Sequence, residues 1–358
     1  MYSRISIKNF RGIGSLEVDG LRRINLIVGR NNSGKTSFLE SLFLLGGAPD
    51  PHLPTRLGQM RGQRLGDTYP DQLWRPLFHN MDPRSPVELL GQWDQEPRAR
   101  KLRIDAGLEP TSAVPPEQPP EGDGGIATTI QDPVINQLGL RSEDTGGNQT
   151  VNTAIFDPDT GTIRASGQQR SDFGRTTLLS ARAYPTPARY AQQFSSLLKK
   201  KQDRDVMHGL KIIAPNLQRI EVVSESIGPS IYLDIGPDAL VPLTVSGEGM
   251  VRMFSIILEL ISSRNGVLLI DEIDNGLHHT VMPKIWELLG ALVEKHNVQI
   301  FATTHNDEIV RTALEAFRGL PGVLGLFRID RRGDRHVMAS YDDEAMEAVL
   351  ETHFEVRG

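Results

Sequence analysis

The chain has 358 residues, 38% of them hydrophobic and 23% charged, enough for one large α/β domain with insertions or for two lobes. Its formal net charge is −6, so any contact with nucleic acid must use a local basic patch or a partner protein. There is no cysteine, which excludes disulfides, zinc-thiolate sites and thiol catalysis; no apolar run reaches the roughly 18–20 residues of a membrane span, and MYSRISIKNF has no apolar signal core, so no membrane and a cytoplasmic location are expected.

Residues 2–10 alternate, with Ile5 and Ile7 apolar and Arg4, Ser6 and Lys8 between them, which predicts a strand with one wet face. Gly12-Ile13-Gly14 turns the chain, and Leu16-Glu17-Val18 reads as the returning strand. Ile24–Val28 is nearly continuously apolar, the pattern of a strand buried on both faces, and it runs into Gly29-Arg30-Asn31-Asn32-Ser33-Gly34-Lys35-Thr36. Phe38, Leu39, Leu42, Phe43 and Leu45 then recur at helical spacing until Gly46-Gly47 and Pro49 stop the helix. Residues 87–106 and 151–166 read as antiparallel strands, with a hairpin turn over 157–161. Between them 109–150 is rich in Pro, Gly, Gln, Asp and Thr; it lacks the apolar area to offset its ordering entropy and is expected to be a flexible insertion.

Residues 186–240 read as a helical subregion followed by strands, with no heptad sustained long enough for a coiled coil. Residues 248–263 predict an apolar helix with Met250, Phe254, Ile257 and Ile261 on one stripe. Val267–Ile270 is a buried strand, 280–295 an amphipathic helix and 298–303 the next strand, a succession that predicts parallel neighbours. The basic runs Arg22-Arg23, Lys199-Lys200-Lys201 and Arg331-Arg332 read as solvated surface, and Asp342-Asp343-Glu344 as the charged start of a last helix.

Four motifs carry chemistry. Gly29 to Thr36 fits G-x-x-x-x-G-K-[ST] with a strand before and a helix after; its backbone N–H groups suit phosphate oxygens, Lys35 supplies a cation and Thr36 a hydroxyl for a divalent metal. In Leu268 to His278 an apolar strand ends in Asp271-Glu272, one carboxylate placed to hold Mg²⁺ and the next to orient or deprotonate a water. Ser246-Gly247-Glu248-Gly249 opens the long apolar helix as a second anion cradle. Thr303-Thr304-His305 ends the following strand, with His305 at the same sheet edge as Asp271.

In this order the four resemble the Walker A, signature, Walker B and switch-histidine motifs of ABC-type ATPases. KNFRGI (Lys8 to Ile13) and GRNNSGKTSFLESL resemble the RecF/SMC/Old branch and its stand-alone AAA-family relatives, Old-like but without a TOPRIM domain. The resemblance covers roughly residues 1–48 and 240–310. It implies a single P-loop ATPase head over 1–358, α/β, with a mainly parallel core sheet, an antiparallel β-lobe and a helical middle. It implies ATP and Mg²⁺ as ligands: Gly29, Asn31, Asn32, Ser33, Gly34, Lys35, Thr36 and Ser37 on the phosphates, Thr36 and Asp271 on the metal, Glu272, His305 and Lys35 in hydrolysis. Arg11 is expected to touch the nucleotide, His278 to fall in the D-loop, and Ser246, Gly247, Glu248 and Gly249 to reach ATP held by a second subunit. The signature departs from LSGGQ, and Gln92 is the candidate Q-loop glutamine.

The function expected from this is an ATP-hydrolysing switch that dimerises head-to-tail and controls a separate nucleic-acid-directed effector, a nuclease or toxin, in DNA repair or phage defence. The alternatives are a RecF-like repair ATPase that binds DNA without an effector, and a weakly hydrolysing nucleotide-sensing scaffold. The sequence holds no N-K-x-D motif for guanine.

Overall fold

The computed structural model describes residues 1–48, 50–63, 70–93, 99–109, 134–144, 146–157, 160, 162–167, 175–181, 185–236, 238–333 and 335–352. The opening alternation folds as expected: β1 (Tyr2–Phe10) buries Ile5 and Ile7 and pairs antiparallel with β2 (Ile13–Asp19). The apolar run is β3 (Ile24–Val28), buried at all five positions, and it feeds α1 (Lys35–Gly47). Two short helices, α2 (Leu53–Met60) and α3 (Pro70–Trp74), lead into β4 (Val87–Trp93), β5 (Ala99–Glu109), β6 (Val134–Glu143), β7 (Gln149–Asp157) and β8 (Thr162–Ser166). These strands extend β1 and β2 into a seven-stranded antiparallel sheet, ordered β2-β1-β4-β5-β6-β7-β8.

The chain then makes β9 (Thr176–Leu179), α4 (Pro187–Lys199) and α5 (Arg204–Ile213). Thr186 caps α4 by accepting the Arg189 N–H, and Pro187 fills the first turn, where its missing donor costs nothing. A small sheet of β10 (Arg219–Glu225), β11 (Gly228–Asp234) and β12 (Val241–Pro242) precedes α6 (Glu248–Ser262). Then come β13 (Val267–Ile270), α7 (Met282–His296), β14 (Gln299–Thr303), α8 (Asp307–Ala316), the hairpin β15 (Leu324–Arg332) and β16 (Arg335–Tyr341), and α9 (Asp343–Thr352).

The core sheet runs β16-β15-β3-β14-β13-β9, parallel except for β16 at its edge. Its pleat divides the apolar residues between two cores. Ile24, Leu26, Leu268, Ile270, Ile300 and Ala302 face α6, α7 and α8. Ile27, Val267, Leu269, Phe301 and Phe327 face the other way, where α1 lies between this sheet and the antiparallel lobe and buries Phe38, Leu39 and Leu42. All parallel strand ends point to the same edge, and the loops leaving β3, β13 and β14 there carry three of the four motifs; Ser246 to Gly249 instead follows β12 of the small sheet.

One expectation is corrected in part. Within 109–150, residues 134–143 are β6, paired with β5 and β7, and Ile135, Leu138 and Leu140 are buried. Alternation hidden behind a polar stretch accounts for the difference; residues 110–133 lie outside the described residues.

Candidate nucleotide-binding site

The loop from β3 to α1 bends through Asn32 (φ 63°) and Gly34 (φ 104°). No side chain caps α1 and no acidic residue stands in its first turn, so its first N–H groups and the positive end of its dipole are open to an anion. The Ser33 hydroxyl is enclosed in the loop without a hydrogen-bond partner among the described residues. Lys35 Nζ donates to the carbonyls of Gly29 (2.7 Å) and Arg30 (3.0 Å). Burial lowers the Lys35 pKa, while the carboxylates of Asp271 and Glu272 pull it back up.

β13 delivers Asp271 and Glu272 opposite this loop. The Thr36 hydroxyl donates to the Asp271 carboxylate at 3.0 Å from Oδ2, and Thr303 at the end of β14 donates to Oδ1 at 2.7 Å. Glu272 has a left-handed backbone, φ 49°, a conformation costly for a residue with a Cβ. Three contacts hold it there: its N–H donates to Thr303 Oγ1 at 2.9 Å, and its carbonyl accepts from Arg252 Nη2 at 2.8 Å and from the Asn275 N–H at 3.0 Å. Arg252 comes from α6, is fully buried, and also donates to the carbonyls of Asp271 and Ser180. α6, which follows Ser246-Gly247, is thereby tied to the backbone of both acidic residues.

Ser33, Gly34, Lys35, Thr36, Asp271 and Glu272 line one cleft of about 550 Å³ with Asn31, Asn32, Ser37, Glu40, Met60, Arg61, Ser180 and Ala181, a size suited to a nucleotide. Glu40, one helical turn beyond Thr36, is almost fully buried. It takes the guanidinium of Arg61 on both carboxylate oxygens (2.7 and 2.9 Å) and that of Arg11 at 2.7 Å. Burial, offset by Glu40, brings the Arg11 pKa down to about 10. Arg11 itself does not line the cleft, because Glu40 engages it.

Other expected members of the site also lie elsewhere in the single chain. Ser246, Gly247, Glu248 and Gly249 line no part of the cleft. Gly249 packs against the loop after β13, where a Cβ on it would meet the Gly276 carbonyl oxygen at 2.6 Å; only glycine permits that approach. His278 is exposed, bonded through Nδ1 to Thr280 and stacked on His279. His305 is exposed and outside the cleft lining. Gln92 is corrected: it lies in β4 opposite Arg4 and Ala99, in the other sheet, and the strand end that reaches the cleft is that of β9, with Ser180 and Ala181. Arg61, Glu40, Arg252 and β9 went unread because no motif marks them; the one signal was an arginine six residues after Ser246 in an otherwise apolar helix.

Among the described residues no helix is long and apolar enough to cross a membrane. A family described as "AAA ATPase domain" matches residues 1–51, and one described as "AAA domain, putative AbiEii toxin, Type IV TA system" matches 157–311. The chain is 22% identical to an ATP/GTP phosphatase of Helicobacter pylori over 89% of each chain. It is 52% identical to the DNA replication and repair protein RecF of Actinobacillus pleuropneumoniae, but over 44 residues, 12% of each. Among solved structures, it shares the fold of an SMC head bound to the C-terminal winged-helix domain of ScpA, with a TM-score of 0.52, 13% identity and 97% and 99% of the two chains covered. An SMC head with an extended coiled coil from Pyrococcus furiosus gives 0.50 at 12% identity over 99% of each. Two AAA-family ATPase matches and the fold of an SMC head, with the P-loop and the Asp271-Glu272 pair facing one cleft, support an ABC-type ATPase similar to the RecF/SMC branch.

Proposed function

We propose that the chain is a nucleotide-driven switch: it binds ATP in the cleft, closes head-to-tail on a second copy, and reopens on hydrolysis. The observation that carries this is the convergence of Lys35, Thr36, Asp271 and Glu272 on one cleft that the signature residues Ser246 to Gly249 do not line. A signature at a helix start without a side-chain cap, outside the cleft of its own chain, is suited to completing the cleft of another copy. The loop N–H groups and Lys35 take the β- and γ-phosphates, and Ser33 Oγ gains the partner it lacks. The hydroxyl of Thr36 and the carboxylate of Asp271 are hard oxygen donors of the kind Mg²⁺ prefers; the ion would neutralise phosphate charge. Glu272 orients a water and accepts its proton as the water oxygen bonds to the γ-phosphorus and the bond to the ADP oxygen breaks.

The output is control of a nucleic-acid-directed partner. The matched family whose description names a toxin and a toxin–antitoxin system supports a defence setting, and the RecF-like opening supports a nucleic-acid setting. Direct binding to DNA through the outer strand face of the lobe is less favoured: there Arg103 pairs with Glu88 and Asp105, Lys101 with Glu143, and Arg4 with Glu17. The test is hydrolysis of labelled ATP and GTP by the purified chain, with molar mass from light scattering. Glu272→Gln should hold ATP as a dimer and slow hydrolysis by roughly 10²-fold or more, and Lys35→Ala should bind none. Wild-type turnover by Glu272→Gln would refute the assignment.

A further inference from the structure

The P-loop is supported from behind by the C-terminal hairpin. A Cβ on Gly29 would meet the carbonyl oxygen of Ile329 in β15 at 2.4 Å, and one on Gly34 would meet the imidazole of His336 in β16, at 3.1 Å from Cδ2 and 3.2 Å from Nε2. The edge of the His336 ring is therefore the surface on which Gly34 sits in its left-handed conformation. His336 is 6% exposed, and its Nδ1 is enclosed without a hydrogen-bond partner among the described residues. An orphaned buried nitrogen costs free energy that an aliphatic side chain of similar size would avoid. His336 is paired across the hairpin with Arg331, and His79, whose Nδ1 lies 3.0 Å from the Arg11 carbonyl oxygen, is the other titratable group acting on it. Burial first, then Arg331 and His79, lower its pKa, so the ring is neutral near pH 7.

We propose that His336 is a positioning residue for the phosphates: its ring fixes the opening of the P-loop from behind, without touching the nucleotide, and takes up a proton when a polyanion fills the loop. The inference rests on the cleft being a nucleoside triphosphate site. A phosphate chain beyond Gly34 favours the imidazolium, so the His336 pKa is higher in the bound state than in the free state. Affinity therefore gains as pH falls through the bound-state value, and the gain is absent above it.

The experiment measures the Kd of a fluorescent ATP analogue, and KM and kcat for ATP, at roughly pH 5.5–8.5, for wild type, His336→Leu, His336→Phe and Lys35→Ala, with thermal melts to establish folding. His336→Leu should raise Kd and KM about tenfold with kcat nearly unchanged, because it loosens the loop rather than the chemistry. His336→Phe keeps a flat ring, so it should hold near wild-type Kd at neutral pH yet lose the acid-side gain, measured relative to wild type so that protonation of ATP itself cancels. A His336→Leu protein with wild-type KM, or a His336→Phe pH profile parallel to wild type, overturns the proposal. Undiminished binding by Lys35→Ala would instead remove the reading of the cleft on which the proposal stands.

Discussion

Thr303 is the sharpest probe of the catalytic geometry, because one hydroxyl makes two contacts and valine has nearly its shape. In wild type, Oγ1 donates to Asp271 Oδ1 at 2.7 Å and accepts the Glu272 N–H at 2.9 Å, and the residue is fully buried. Thr303→Val opens no cavity, so the loss is polar. A hydrogen bond to a charged group is worth about 1.5–3 kcal/mol and a neutral one about 1, and the second leaves a buried N–H unpaired. The expected destabilisation is therefore roughly 3 kcal/mol, visible as a lower denaturant midpoint at unchanged slope. The N–H bond is also one of three backbone contacts holding Glu272 at φ 49°, and the only one made by its N–H among the described residues; the conformation costs on the order of 1–3 kcal/mol. Releasing it lets the carboxylate drift from the cleft, and 1.4 kcal/mol of lost transition-state alignment is tenfold in rate. Steady-state hydrolysis should show kcat reduced about ten- to a hundredfold, with ATP affinity changed much less because the P-loop contacts remain. Thr303→Ser, which keeps the oxygen, should restore most of the rate. A Thr303→Val enzyme with wild-type kcat would show that the backbone of Glu272 does not depend on this hydroxyl.

Mixing Lys35→Ala with Ser246→Arg subunits should partly restore ATPase activity, since one composite site then carries both lesions and the other carries neither; mixed dimers that stay inactive would argue against head-to-tail completion. Gly249→Ala should displace the Gly276 carbonyl, which a Cβ would meet at 2.6 Å, and cost about 1–3 kcal/mol together with a fall in turnover; equal melting curves would count against the contact. Glu40→Gln should leave Arg11 and Arg61 without their buried anion, at a cost of about 3–5 kcal/mol in chemical denaturation. Chelation with EDTA should stop hydrolysis and added Mg²⁺ should restore it; turnover that survives chelation would remove Thr36 and Asp271 as metal ligands.

The local parts of this protein were legible in the chain itself. Ile24–Val28, broken only by Asn25, and Val267–Ile270 are short runs of branched apolar residues, the pattern of a strand buried on both faces. The glycines and the lysine of residues 29–36 state their own requirement, because a phosphate cradle needs small residues and a following helix. Asp271 and Glu272 were readable for the same reason: a strand must end before two adjacent carboxylates can face a cleft.

What the chain could not state is which distant groups share a space. β9 is four residues long and has no periodicity; it is a strand only because it pairs with β13, and only that pairing carries Ser180 and Ala181 to the cleft in place of Gln92. Arg11 was expected at the nucleotide, but the charge nearest to it in space is Glu40, 29 positions further along the chain, and a buried guanidinium goes to the carboxylate it can reach. The hairpin β15–β16 lies some 300 residues from the P-loop in sequence, yet β15 pairs with β3 and so brings Ile329 and His336 against Gly29 and Gly34. Periodicity and motif spacing report short-range constraints, whereas sheet order is fixed by the burial of whole faces. The chemistry of the site was therefore written locally, and the residues that aim it were chosen by the packing of the complete sheet.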